Sequence, residues 1–175
     1  MKKINDYITE KLKTEDQSIL DFLNMLAKNC SGYQKALFTD KANDADSIDV
    51  VSINEAFDEN TIEKIRKYVR PVPKSCYENA YKLCDRIHDD RYDIKYCEGY
   101  LNMKGIPIEH AFNSVNGKYV DITVEMALER PIEDTYVLIG EFNVNEVREI
   151  LLQNKYYGNI YDTIKLNKYK ENIKP

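Results

Sequence analysis

Three residues far apart in the chain have side chains that work together chemically: Cys76, His110 and Asp121. A cysteine thiol with its ordinary pKa of about 8.5 is mostly protonated at neutral pH, so it becomes a nucleophile only where its surroundings favour the thiolate. A helix N-terminus and a neighbouring imidazolium both do so. A histidine can take the thiol proton and later return it to a leaving group, and a carboxylate can hold that imidazole in one tautomer and orientation. The chain has only two histidines, His88 and His110.

The elements that must position these groups are readable around each of them. Ser75-Cys76-Tyr77-Glu78 is a Ser-x-x-Glu capping sequence and places Cys76 in the first turn of a helix. Cys76, Ala80, Leu83, Cys84 and Ile87 then form one apolar stripe that needs a sheet to lie on. Three strand-like runs follow, Tyr92 to Leu101, Ile106 to Val115 and Lys118 to Glu125. Asn116-Gly117 joins the last two as a tight hairpin turn. With those two residues at the centre of the turn, Phe112 faces Asp121 and His110 faces Thr123, so His110 and Asp121 are diagonal neighbours on one face, within reach of a hydrogen bond. Ile108, Phe112, Tyr119 and Thr123 share that face. Ala111, Val115, Val120, Ile122 and Val124 form the apolar opposite one. Docking the Cys76 helix against the His110 face completes a Cys-His-Asp arrangement.

These segments resemble the core of the papain-like and transglutaminase-like cysteine enzymes. The resemblance is carried by Cys76-Tyr77-Glu78-Asn79-Ala80, Glu98-Gly99-Tyr100, Pro107-Ile108-Glu109-His110-Ala111-Phe112 and Tyr119-Val120-Asp121-Ile122-Thr123. It spans roughly residues 74 to 125. It implies a nucleophilic Cys on a helix N-terminus, a His on a strand, an Asp on the next, and chemistry through a thioester on a protein or peptide-like amide. Peptidases, amidases, deamidases and transglutaminases all share that route. Papain-type peptidases also carry a Gln shortly before the Cys that donates to the oxyanion. Arg70-Pro71-Val72-Pro73-Lys74-Ser75 contains none, which leaves the Cys76 backbone amide, Asn79 and Tyr77 as donor candidates.

Composition bounds the remainder. The 175 residues are 31% charged and 43% hydrophobic, which suits one domain with its own core. No apolar run reaches membrane-spanning length and no signal-peptide core follows Met1-Lys2-Lys3, so the expectation is a soluble cytoplasmic protein without a membrane partner. The 25 Lys and Arg are interleaved with 30 Asp and Glu for a net charge of -5, which argues against nucleic acid as a partner. Cys30, Cys76, Cys84 and Cys97 read as free thiols, and Glu98 and Glu109 as water-facing strand charges. No cofactor is called for. Oligomeric state is not encoded in any pattern.

The expected architecture is α+β: a papain/transglutaminase-like core with the Cys-bearing helix packed on an antiparallel sheet, preceded by N-terminal helices. It forms a single domain over 1–175, with 1–70 a mainly helical extension and 71–175 the Cys-His-Asp core. Apolar periodicity over 3–29 predicts two of those helices, and a third is expected over Thr61 to Val69. Phe38 to Asn54 reads as loop with one short strand around Ile48 to Ile53. Toward the C-terminus a strand at Thr135 to Ile139, a helix at Asn145 to Gln153 and a last strand near Ile160 to Ile164 are expected. Two other functions fit the same residues. One is a binding or regulatory module without catalysis. The other is a zinc-stabilised domain using Cys84, His88, Cys97 and His110.

Overall fold

The computed structural model describes residues 49–51, 56–103, 106–129, 135–158, 160–161 and 163–164. Strand β1 (Asp49–Val51) is followed by helix α1 (Glu59–Lys64), which widens into a π-helical turn over Ile65–Val69. Helix α2 (Cys76–Arg86) comes next, then strands β2 (Ile94–Met103), β3 (Ile106–Val115) and β4 (Lys118–Val120). A second π-helical turn (Thr123–Ala127), strand β5 (Thr135–Phe142) and helix α3 (Val144–Asn154) follow. The strands form one antiparallel sheet in the order β1-β5-β2-β3-β4. The architecture is therefore α+β. The helices expected over 3–29 lie outside the described residues, and among the described residues no helix is long and apolar enough to cross a membrane.

Local chemistry accounts for most of the element boundaries. Asp58 starts α1 by accepting the Thr61 amide at 2.7 Å. Arg70, in the left-handed conformation (φ 54°), ends the following turn ahead of Pro71 and Pro73. Asn116 and Gly117 both take positive φ (50° and 79°), the pair of values a two-residue hairpin turn requires. They set the register expected from the sequence, with Asn113 opposite Val120 and Val115 opposite Lys118.

Both sheet faces are covered. Leu83 and Ile87 of α2 pack with Ile65, Val69, Val115, Val120 and Ile122. Farther along the same face, Ala80 and Cys84 meet Tyr96, Ala111, Val147 and Ile150. The opposite face buries Cys97, Leu101, Phe112, Val124, Tyr136 and Leu138 together.

Three expectations are corrected. The third strand stops at Val120 instead of running to Glu125, because Asp121 turns the chain: its Oδ1 accepts the amides of Thr123 (2.9 Å) and Val124 (3.1 Å) and so caps a helical turn. Ile160–Tyr161 and Thr163–Ile164 are helical, not strand, because Glu98 accepts the amides of Ile160 and Tyr161 at 2.9 Å each. Ser75 is the N-cap of α2 but its side chain makes no capping bond. It sits at φ -119°, ψ 42° after the left-handed Lys74, outside the extended region that aims a capping hydroxyl, while Glu78 pairs with Lys82. The reciprocal capping box occurs instead at Asn143 and Glu146, opening α3. β1 pairs with β5, and the Ile65–Val69 turn packs on α2.

Candidate active site

The Cys76 helix does not lie on the His110 face. It packs against the face carrying Ala111, Val115 and Val120, while the His110 ring stands edge-on to Tyr136 on the opposite side at 6.0 Å between centroids. The two side chains meet around the margin of the sheet. β4 pairs only with Asn113–Val115, so the preceding stretch of β3 has no strand on that side among the described residues. There Cys76, at the first position of α2, lies close enough to His110 and to the backbone N–H groups of Ala111 and Tyr77 for each of them to favour its thiolate. The early end of β4, which follows from the Asp121 turn, is what opens this route.

His110 is 6% exposed and approaches Asp121 closely, Nε2 to Oδ2 2.6 Å. That leaves Nδ1 as the nitrogen for the thiol. Asp121 is fully buried, and its carboxylate accepts from four groups. Oδ2 takes the His110 ring and the Tyr136 hydroxyl (2.8 Å), and Oδ1 takes the two turn amides. A buried carboxylate needs such saturation, because an ion out of water is stable only when paired and hydrogen-bonded. The same carboxylate thus folds the turn and orients the imidazole.

Electrostatics distinguish Cys76 from Cys84 and Cys97. Burial pushes its pKa up, but the His110 hydrogen bond and charge and the N–H groups of Ala111 and Tyr77 outweigh this and hold the thiol below its ordinary value. For His110, burial lowers basicity, yet the hydrogen bonds and charges of Asp121 and Cys76 win and raise it to about 10. The two shifts point the same way, toward a thiolate beside an imidazolium. Burial instead pushes Cys84 up to about 12. Cys97, buried near the Glu141 carboxylate, is raised further.

The two side-chain donor candidates fare differently. Asn79 is buried and fully engaged. Its Oδ1 accepts the Val72 amide at 3.0 Å, and its Nδ2 donates to the Val72 carbonyl (2.8 Å) and to Thr123 Oγ1 (3.0 Å). Both amide hydrogens are therefore used, and Asn79 is corrected from oxyanion donor to a pin that holds the 71–75 loop against α2. The Tyr77 ring packs on the Gly158 backbone, and its hydroxyl is raised by burial and by the charges of Glu98 and Glu109. The Cys76 N–H, at the helix start, has no intrahelical acceptor and is the backbone donor beside the thiol.

Two residues of the site were not legible as such in the sequence. Tyr136 reaches Asp121 from β5, and no spacing in the sequence announces it. Glu98 is 7% exposed, not water-facing, and binds the Tyr96 hydroxyl at 2.8 Å besides the Ile160 and Tyr161 amides. The Glu98-Gly99-Tyr100 run was the available signal. Gly99 faces His110 in the ladder, and a Cβ there would overlap the Val137 carbonyl oxygen.

The zinc set does not assemble. Cys84 and Cys97 lie in clusters on opposite faces of the sheet, His88 is exposed beyond α2, and His110 is bonded to Asp121. Among the described residues no group of three or more His, Cys, Asp or Glu side chains converges as for a metal ion. No protein-family model, curated protein or solved structure matches the chain.

Proposed function

We propose that this protein is a thiol-dependent amide hydrolase or acyl transferase, with a core of the papain-like and transglutaminase-like kind and Cys76, His110 and Asp121 as its catalytic residues. The observation that carries the reading is His110 set between the Cys76 thiol, whose pKa it lowers, and the buried Asp121 carboxylate, which it meets at 2.6 Å. Cys76 Sγ attacks the carbonyl carbon of an amide in a protein or peptide-like substrate. The C–S bond forms as the carbonyl π pair moves onto oxygen, where the Cys76 N–H supports the negative charge. The oxyanion then collapses, the C–N bond breaks, and the His110 imidazolium gives its proton to the departing amine, leaving a thioester. In the second half His110 removes a proton from water or an acceptor amine, which attacks the thioester and restores the thiol. Asp121 keeps Nε2 protonated throughout, so that Nδ1 does the proton transfer.

Incubation with 4-nitrophenyl acetate, followed by intact-mass and peptide mapping, tests the reading. Acetylation is expected on Cys76 and is lost in Cys76→Ala and strongly slowed in His110→Ala. Acetyl groups spread over lysines, with Cys76 unmodified, would refute it and favour a binding module that keeps the fold without catalysis.

A further inference from the structure

Tyr136 stands on β5, with β2 between it and β3, and is fully buried among Cys97, Leu101, Phe112, Val124 and Leu138. A phenylalanine would fill that apolar cluster equally well. A hydroxyl placed there is costly unless it is hydrogen-bonded. Its partner is Asp121 Oδ2 at 2.8 Å, the same oxygen that His110 Nε2 approaches at 2.6 Å. The other two donors to this carboxylate, the Thr123 and Val124 amides, use Oδ1.

We propose that Tyr136 is a positioning residue for the thiol chemistry: by sharing Asp121 Oδ2 with His110, its hydroxyl limits the negative charge the carboxylate presents to the imidazole. The inference rests on the thiol-enzyme reading above. The reaction asks two opposed things of His110, to hold the proton taken from Cys76 and then to release it to the leaving amine. A buried carboxylate with all its charge directed at the imidazolium would serve the first and hinder the second. Each further donor on the same oxygen draws charge away, and Tyr136 is placed to do so. Besides the triad, the titratable groups that the described residues place around the site are Tyr77 on α2, Tyr96, Cys97, Glu98 and Tyr100 on β2, Glu109 on β3, Tyr119 on β4 and Glu125 in the turn after Asp121. Substitution of Tyr136 leaves all of these in place.

The test compares the pH dependence of Cys76 alkylation by iodoacetamide in the wild type and in Tyr136→Phe, with ¹⁵N imidazole shifts reporting His110 directly. With the hydroxyl gone, Asp121 holds the imidazolium more strongly, so the thiolate forms at lower pH. The midpoint is expected to fall by about half a pH unit, roughly three-fold more thiolate below the midpoint, and His110 to stay protonated to correspondingly higher pH. Site-specific 3-fluorotyrosine at 136, a stronger donor, is expected to move both in the opposite direction. A packing role alone predicts superimposable profiles, and a purely orienting role predicts an upward midpoint in Tyr136→Phe; either result overturns the inference. Wild-type Cys76 that labels no faster than Cys84 and Cys97 overturns the thiol-enzyme reading and this inference together, whereas a low wild-type midpoint unmoved in Tyr136→Phe removes the inference alone.

Discussion

Asp121→Asn alters the charge of the site while leaving its shape in place. The asparagine carbonyl can still accept the Thr123 and Val124 amides from the Oδ1 position, so the turn keeps its cap. The NH2 group then occupies the Oδ2 position and presents hydrogens to His110 Nε2–H and the Tyr136 hydroxyl. Tyr136 can rotate its hydroxyl to accept. His110 can respond only by changing tautomer, which puts its proton on Nδ1, toward Cys76. The imidazolium loses a charge-assisted hydrogen bond of about 1.5 to 3 kcal/mol, and at 1.36 kcal/mol per unit the Cys76 midpoint should rise by about one to two units. The sign follows from the shifts. His110 is raised chiefly by Asp121 against burial, and Cys76 is lowered by His110 against burial, so removing the first link returns both groups to the pull of burial. Alkylation near neutral pH should therefore slow about 10- to 100-fold. Two donors lose their charged acceptor, so the urea midpoint should report a loss of about 2 to 4 kcal/mol. Labelling is read by peptide mass spectrometry beside that denaturation curve. Cys84 and Cys97 act as internal reporters, since they become reactive only if the fold opens. An unchanged Cys76 midpoint in a folded Asp121→Asn protein would refute the argument that Asp121 acts on the thiol through His110.

In the wild type, Cys76 should label at least ten-fold faster than Cys84 or Cys97 at neutral pH, because a thiol pushed up to about 12 carries almost no thiolate there; equal rates in the folded protein would contradict the site. Gly99→Ala should lower stability by more than about 2 kcal/mol or prevent soluble expression, because the new Cβ meets the Val137 carbonyl and β5 must move; a wild-type melting curve would show that the strands have room. Glu98→Gln keeps one acceptor oxygen but loses the charge on the Ile160 and Tyr161 amides, which should cost about 1 to 2 kcal/mol and speed proteolysis after Asn154, as limited trypsin digestion would show. Asn79→Ala should cost about 2 to 4 kcal/mol by leaving the Val72 amide unpaired and the Val72 carbonyl with only its longer bond from the Ser75 amide, with Cys76 labelling slowed as the preceding loop loosens; an effect on stability without one on labelling would separate the loop from the site.

What the sequence determined by itself is local. Asn116 and Gly117 impose a two-residue hairpin because both accept positive φ, and that turn alone sets which residues of β3 and β4 face one another. The apolar stripe from Cys76 to Ile87 makes α2 a helix lying on a sheet, with the thiol at its start. The proximity of His110 and Asp121 follows from the same register. Tertiary structure decided the rest. Whether the chain after Val120 continued as strand or turned depended on the Asp121 carboxylate caps, which compete with a ladder by only a few hydrogen bonds, and periodicity does not register that competition. Which face α2 covers depended on that turn too, because a longer β4 would have covered the margin where Cys76 meets His110. Tyr136 and Glu98 find their partners 15 and 62 residues away, Asp121 and Ile160 respectively. Pairings at such separations leave no spacing to read, since they exist only once strands distant in sequence lie side by side and the low dielectric between them makes each buried polar group seek a partner.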